Sequence, residues 1–175
     1  MKTIATIQTD FPTKFGLPRQ SGLVDALEGR IVFEKEYRVP AAIRGLEGYS
    51  HIWLIWRFSE SEREDWSPTV RPPRLGGNVS MGVFATRSPF RPNPIGLSCV
   101  RLIGIDETSP DGPALLVAGA DLMNGTPILD IKPYLPNVDS RPEATEGFAG
   151  AVKDYSLKVV IPEEWLAMVP ESKRE

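Results

Sequence analysis

Three prolines close together, Pro89, Pro92 and Pro94, restrict what this chain can build more than any other feature. Each removes a backbone donor and holds φ at about −65°, so no sheet interior can pass through them. The residue ahead of each is pushed toward extended geometry. The stretch MGVFATRSPFRPNPIGLS, residues 81–98, therefore reads as strand, rigid loop, strand. Met81, Val83 and Ala85 alternate with Gly82, Phe84 and Thr86, and apolar alternation resumes at Ile95, Leu97 and Cys99. The loop between them carries Arg87, Arg91 and Asn93. Stiff loops on a sheet scaffold are where binding groups are commonly set. The residue types alone leave a second reading open, a proline-rich connector with solvated arginines.

The rest of the chain supplies the scaffold. Residues 2–9, 30–34, 50–58, 95–106, 114–118, 126–131 and 155–161 read as strands. In the third of these Ile52, Leu54, Trp56 and Phe58 share one face, and His51, Trp53, Ile55 and Arg57 the other. Both faces are largely apolar, which predicts a central strand covered on both sides. Residues 39–46 read as a short helix with Pro40 in its first turn and Gly45 at its end. Residues 162–168 read as a terminal helix, and residues 23–27 are ambiguous, at most one helical turn. Residues 60–78 form a long loop with Pro68, Pro72, Pro73 and Gly76-Gly77, a length that is usually functional or poorly ordered. Many short strands with few helices predict an all-β domain, barrel or sandwich. At 175 residues one domain with its own core is expected.

The net charge of −3 argues against a globally basic nucleic-acid binder, but its distribution is uneven. From Trp66 to Arg101 there are five arginines (71, 74, 87, 91 and 101) and no acid. Such a local positive face suits phosphate or carboxylate, or is an arginine-rich loop pair balanced by nearby acids. The single cysteine, Cys99, in an apolar strand, reads as a small core residue. One histidine, one cysteine and scattered acids predict no metal site, and His51 inside a strand reads as structural. No glycine-rich phosphate loop, hydrolytic triad, signal pattern or membrane-length apolar run is present, so a cytoplasmic protein is expected.

The segment Gly-Val-Phe-Ala-Thr-Arg-Ser-Pro-Phe-Arg-Pro-Asn-Pro-Ile-Gly, residues 82–96, resembles the signature of the TsaA-like (TrmO) family. So do Pro18-Arg19-Gln20, Arg44-Gly45-Leu46-Glu47, Ser50-His51-Ile52-Trp53, the run Thr69–Asn78 and Asp130-Ile131-Lys132-Pro133-Tyr134-Leu135-Pro136, in the family's order. Together these blocks cover most of residues 4–161. The resemblance implies a single closed β-barrel domain over residues 1–161, with long proline- and arginine-rich loops and a short helix and tail over 162–175. It implies a homodimer using S-adenosylmethionine to methylate N6 of threonylcarbamoyladenosine next to the anticodon of tRNA. Longer bacterial members carry a further C-terminal domain, and only the tail after Ile161 is expected in its place.

By the same resemblance, cofactor contacts map onto Arg19, Gln20, Ser21, Ser59, Glu60, Arg87, Leu97 and the turn Asn124, Gly125, Thr126, Pro127. Ser59 stands where the family often has histidine, and Asn124 where it often has aspartate. Arginine suits the cofactor's carboxylate because its fork binds two oxygens. Methyl transfer to a urea-like nitrogen also expels a proton, which makes Asp130 the candidate base. Lys132 shares its strand face, the two reading as a surface ion pair or as a charged pair facing the substrate, and Tyr134 stacks on a base, donates its hydroxyl or sits in the core. Arg91, beside Asn93 in the stiff loop, is the candidate partner for the threonine carboxylate, and Arg71 and Arg74 for phosphate. Two alternatives stand beside this reading: a cofactor-binding barrel acting as sensor or adaptor, and a methyltransferase for another RNA or small molecule.

Overall fold

The computed structural model describes residues 1–62, 65–151, 159–171 and 174. Among them eight strands form: β1 (Ala5–Gln8), β2 (Glu28–Phe33), β3 (His51–Arg57), β4 (Thr69–Val70), β5 (Met81–Gly82), β6 (Ile95–Asp106), β7 (Ala114–Ala118) and β8 (Pro127–Pro133). Six of them close an antiparallel barrel in the order β1-β2-β7-β6-β3-β8, and β4 and β5 pair as a separate ribbon. The chain clusters into two compact units, Met1–Arg141 and Pro142–Glu175. The first holds the whole barrel. The second contains short helices at Phe148–Ala151 and Glu163–Leu166, the latter opened by Pro162, whose carbonyl accepts the Leu166 N–H. No helix among the described residues is long and apolar enough to cross a membrane.

Alternation puts one side chain in two inside the barrel. Ala5 and Ile7 of β1, Ile31 and Phe33 of β2, Ile52, Leu54 and Trp56 of β3, Val100 of β6, Leu115 and Val117 of β7 and Ile128 of β8 make the core. Burying one such aliphatic side chain stabilises by about 1.5–3 kcal/mol. The seam between β1 and β8 is short, with Ala5 opposite Ile128 and Thr6 opposite Pro127. It is extended by main-chain bonds from Ile4 to Ile128 and from Gly125 to Ile7.

Several expectations change. β3 is central, between β6 and β8, but its outer residues are only half buried. A closed barrel has one interior, so the second apolar face is left to partial cover. The strand expected to start at Met81 ends at Gly82, and Val83–Ala85 is a 3₁₀ turn with Val83 buried. The Val83 N–H goes to the Pro68 carbonyl and the Val83 carbonyl takes the Thr86 hydroxyl, so the alternating pattern never meets a second sheet. The helix expected over 39–46 is two 3₁₀ turns, Pro40–Ala42 and Leu46–Gly48. Gly45, at φ 88°, opens the second turn and breaks the repeat instead of ending a helix. Residues 23–27 hold a single Leu27-to-Val24 turn bond and no helix. The long loop is punctuated by β4 and by turns at Ser59–Ser61 and Pro73–Leu75. The strand expected over 155–161 falls mostly on residues 152–158, outside the described residues; Val159, Val160 and Ile161 are exposed and not in a strand.

Candidate functional site

The outer face of β6, β3 and β8 gathers one set of candidate groups. Ile55 pairs with Leu97 on one side and Asp130 on the other, and Trp53 pairs with Cys99 and Lys132. Because Ile52, Leu54 and Trp56 point inward, these two cross-strand rows point outward. Leu97, on the β6 side of this face, is 56% exposed, a large apolar side chain left open. Asp130 Oδ2 lies 3.2 Å from Lys132 Nζ, and its Oδ1 accepts the Ile131 N–H at 2.9 Å. Tyr134 sits just past the end of β8, with its ring 5.7 Å from that of Trp53 and 6.2 Å from that of His51. The Trp53 indole donates to Asp139 at 3.0 Å. The Leu135 amide, and after it this indole, hold the Asp139 carboxyl below the usual carboxylate range.

A second set lies along the edge of β6. Pairing with β7 ends at Arg101–Ala118, so β6 between Ile95 and Cys99 has no strand on that side. The loop before Gly22 fills the gap. Ser21 Oγ accepts the Cys99 N–H at 3.1 Å, and the Gly22 N–H donates to the Gly119 carbonyl at 2.8 Å. Gly119 is left-handed (φ 76°), and a side chain there would crowd the Gly22 backbone. Arg87 Nη1 donates to Gln20 Oε1, and Gln20 Nε2 to the Arg19 carbonyl. The structure therefore joins Arg19, Gln20, Ser21 and Arg87 beside Leu97.

Beneath this loop lies Asp121, which the sequence reading missed. It accepts the Ser98 hydroxyl at 2.6 Å and the Ser21 N–H, and Ser98 Oγ accepts the buried Trp56 indole N–H at 3.0 Å. Burial raises the Asp121 carboxyl above the usual range, against the Ser98 and Ser21 hydrogen bonds and the Arg87 charge. The available signal was an acid set between buried Ala120 and Leu122, at the end of an apolar run. Ser98 was legible too, since it shares the inward phase of β6 with Val100.

Arg91 and Asn93 line a different place, a cleft of about 360 Å³ that also touches Arg57, Ser61, Trp66 and Phe90. Ser59 and Glu60 are exposed on the turn that leads to Ser61. Hydrogen bonds from side chain and main chain hold the proline loop. Arg91 Nη1 donates to the Thr86 and Ser88 carbonyls at 3.1 and 3.4 Å, and the Phe58 N–H to the Pro94 carbonyl at 2.8 Å. Arg71 and Arg74 are exposed between β4 and β5. The turn Asn124–Pro127 serves the β1–β8 seam. Asn124 Oδ1 accepts the Thr9 N–H at 3.2 Å, and Thr126 Oγ1 donates to the Met123 carbonyl at 2.8 Å. No group of three or more His, Cys, Asp or Glu side chains among the described residues could hold a metal ion.

These features define a small closed β-barrel whose candidate site residues sit on outer strands and connecting loops, while its interior is filled by the apolar core. The profile of the tRNA-methyltransferase O N-terminal domain matches residues 6–140, and the chain belongs to that family. It is 47% identical over 156 residues to tRNA (adenine(37)-N6)-methyltransferase of Escherichia coli strain K12, an alignment covering 89% of this chain and 66% of that protein. It is 44% identical over 148 residues to the putative S-adenosylmethionine-dependent methyltransferase RcsF of Pseudomonas aeruginosa, covering 85% of this chain and 60% of that one. A crystal structure of TrmO from Pseudomonas aeruginosa superposes with a TM-score of 0.70 at 37% identity, over 87% of this chain and 63% of that one. The chain thus spans about two thirds or less of the length of these relatives.

Proposed function

We propose that this chain is a S-adenosylmethionine-dependent tRNA methyltransferase, acting on N6 of the threonylcarbamoyladenosine next to the anticodon. The observation that carries the reading is the family match across residues 6–140, which takes in all of the barrel except Ala5, the first residue of β1. The donor set along β6 fits the cofactor. A guanidinium preset by Gln20 suits its carboxylate, and the exposed Leu97 surface suits its apolar parts. When bound, the cofactor supplies an electrophilic methyl group on a sulfonium. The chain's own work is to align and to move one proton. Arg87 takes the carboxylate, and Arg19, Gln20 and Ser21 present their loop to the same ligand. Ser59, Glu60 and the Asn124–Pro127 turn complete the proposed contacts. Asp130 Oδ2 accepts the N6 proton as the methyl arrives. Lys132 balances that carboxylate, and Tyr134 beside Trp53 steadies the base. A cytoplasmic homodimer is the setting of this reading.

Arg91 and Asn93 are assigned to the threonine carboxylate of the substrate. Arg91→Lys keeps the charge but loses the two-pronged geometry, so methylation of modified tRNA should fall while cofactor affinity stays near wild type. Single-turnover assays on tRNA with and without the threonylcarbamoyl group read this out; equal methylation of both tRNAs by the wild type would falsify carboxylate recognition. The function itself is tested by mass spectrometry of tRNA nucleosides from a deletion strain. Loss of the methylated nucleoside, restored by complementation, is expected. An unchanged nucleoside profile would leave the adaptor reading in its place.

A further inference from the structure

We propose that Trp66, Phe84 and Arg91 form a stacking platform for unpaired RNA bases beside the substrate cleft. The proposal rests on the tRNA reading above and names the part of the surface that would hold nucleotides flanking the target. The Trp66 and Phe84 rings lie 6.0 Å apart at an interplanar angle of 29°, and the Arg91 guanidinium sits 6.0 Å over the Phe84 ring. These rings are not core: Phe84 is 71% exposed and Trp66 50%. Phe84 is out in solvent because the chain leaves β5 after Gly82 and turns, burying Val83 and sending its neighbour outward. Trp66 and Arg91 also line the 360 Å³ cleft, so the platform is continuous with it.

Charge selects the occupant. Residues 66–101 hold five arginines and no acid, whereas the cleft's acids, Glu62 and Asp65, precede Trp66. Glu62 is already paired with Arg57 at 3.3 Å. Aromatic faces with an arginine above them, on either side of a ribbon whose connecting loop carries Arg71 and Arg74, match single-stranded nucleic acid. Bases stack on the rings and phosphates meet the guanidinium groups. A fully paired helix offers no free base faces, so the platform discriminates unpaired loops from stems.

The test titrates the full-length protein with a hairpin RNA with an unpaired loop and with a fully paired duplex, at one salt concentration. The double variant Trp66→Ala/Phe84→Ala should bind the hairpin about ten- to a hundredfold more weakly, with duplex and cofactor binding unchanged. The single variant Trp66→Phe should keep most of the wild-type hairpin affinity, because any π-face serves. Unaltered hairpin affinity, or equal losses on hairpin and duplex, overturns the platform. So does a double variant that changes only the oligomeric state in sedimentation, which would give the patch to a second copy of the chain. A wild type that binds no RNA and leaves cellular tRNA unmethylated sinks the tRNA reading and this proposal together. A wild type that methylates tRNA while the double variant binds the hairpin equally well sinks the platform alone.

Discussion

Asp121 is a carboxylate that folding makes harder to ionise. Its pKa is raised, first by burial, so its contribution to stability is fullest at low pH and declines as pH rises through the shifted value. Once ionised, the buried side chain is a cost, partly offset by Ser98, Ser21 and Arg87. Asp121→Asn keeps an oxygen for the Ser98 hydroxyl and removes the charge. Thermal melts should show the variant at least as stable as wild type at pH 7.5, with the difference shrinking as pH falls toward 4. A difference that grows on acidification would reverse the assigned sign. Cofactor affinity at pH 7.5 should rise, since Arg87 loses a counter-charge that competes with the cofactor carboxylate. Arg87 itself carries a direct contact in the proposed site. Arg87→Ala should weaken S-adenosylmethionine binding by about 1.5–3 kcal/mol in calorimetric titration, the worth of one charge-assisted bond. An affinity unchanged in a folded protein removes that role.

At the scale of an element, β6 shows why the proline loop must end in Ile95-Gly96. Gly96 lies opposite Trp56 of β3, and the indole covers it so closely that a Cβ there would overlap the ring. The indole has little room to retreat, because its N–H is bonded to Ser98 inside the barrel. A strand glycine under an aromatic ring is a close-approach device rather than a weak point. Gly96→Ala should destabilise by about 1–3 kcal/mol, the usual cost of overpacking a well-filled core. It should also loosen the Ser98–Asp121 pair, visible as a change in tryptophan fluorescence. A wild-type melting temperature with an unaltered spectrum would show that the ring can move aside.

At the scale of the whole molecule, charge is divided between parts of the sequence. The chain as a whole is acidic, yet residues 66–101 carry only arginines. A net charge of −3 therefore does not describe what a phosphate backbone meets near β4 and β5. Changing Arg71 and Arg74 together to Ala should weaken tRNA binding and make its dependence on salt shallower, by about one unit of log–log slope per lost phosphate contact. Cofactor binding should hardly change. A salt slope equal to wild type would place phosphate contacts elsewhere.

Apolar patterning over residues 95–106 and the apolar run 114–118 were enough to read the bounds of β6 and β7, though not the facing of β6: Gly96, Ser98 and Val100 point inward, and Leu97 and Cys99, the latter expected in the core, lie on the outer face. The stiffness of the proline loop was equally local, a property of rings that hold φ and donate nothing. Family blocks in the sequence supplied the barrel and named Arg19, Gln20, Ser21 and Arg87. Their meeting at the bare edge of β6 was not in any one segment. It depends on β7 ending at Ala118, which sequence pattern gives, and on the first loop crossing to that gap, which only packing decides. The same holds for Asp121, an ordinary acid in the sequence until Ser98, Ser21 and Arg87 converge on it from three other parts of the chain. The short strand at Met81 shows the limit from the other direction. Six alternating residues predict a strand, but a strand persists only where another lies beside it, and β4 offers two residues of pairing. Local pattern sets which conformations are cheap. Which of them finds a partner across the barrel is decided by contacts far apart in the chain.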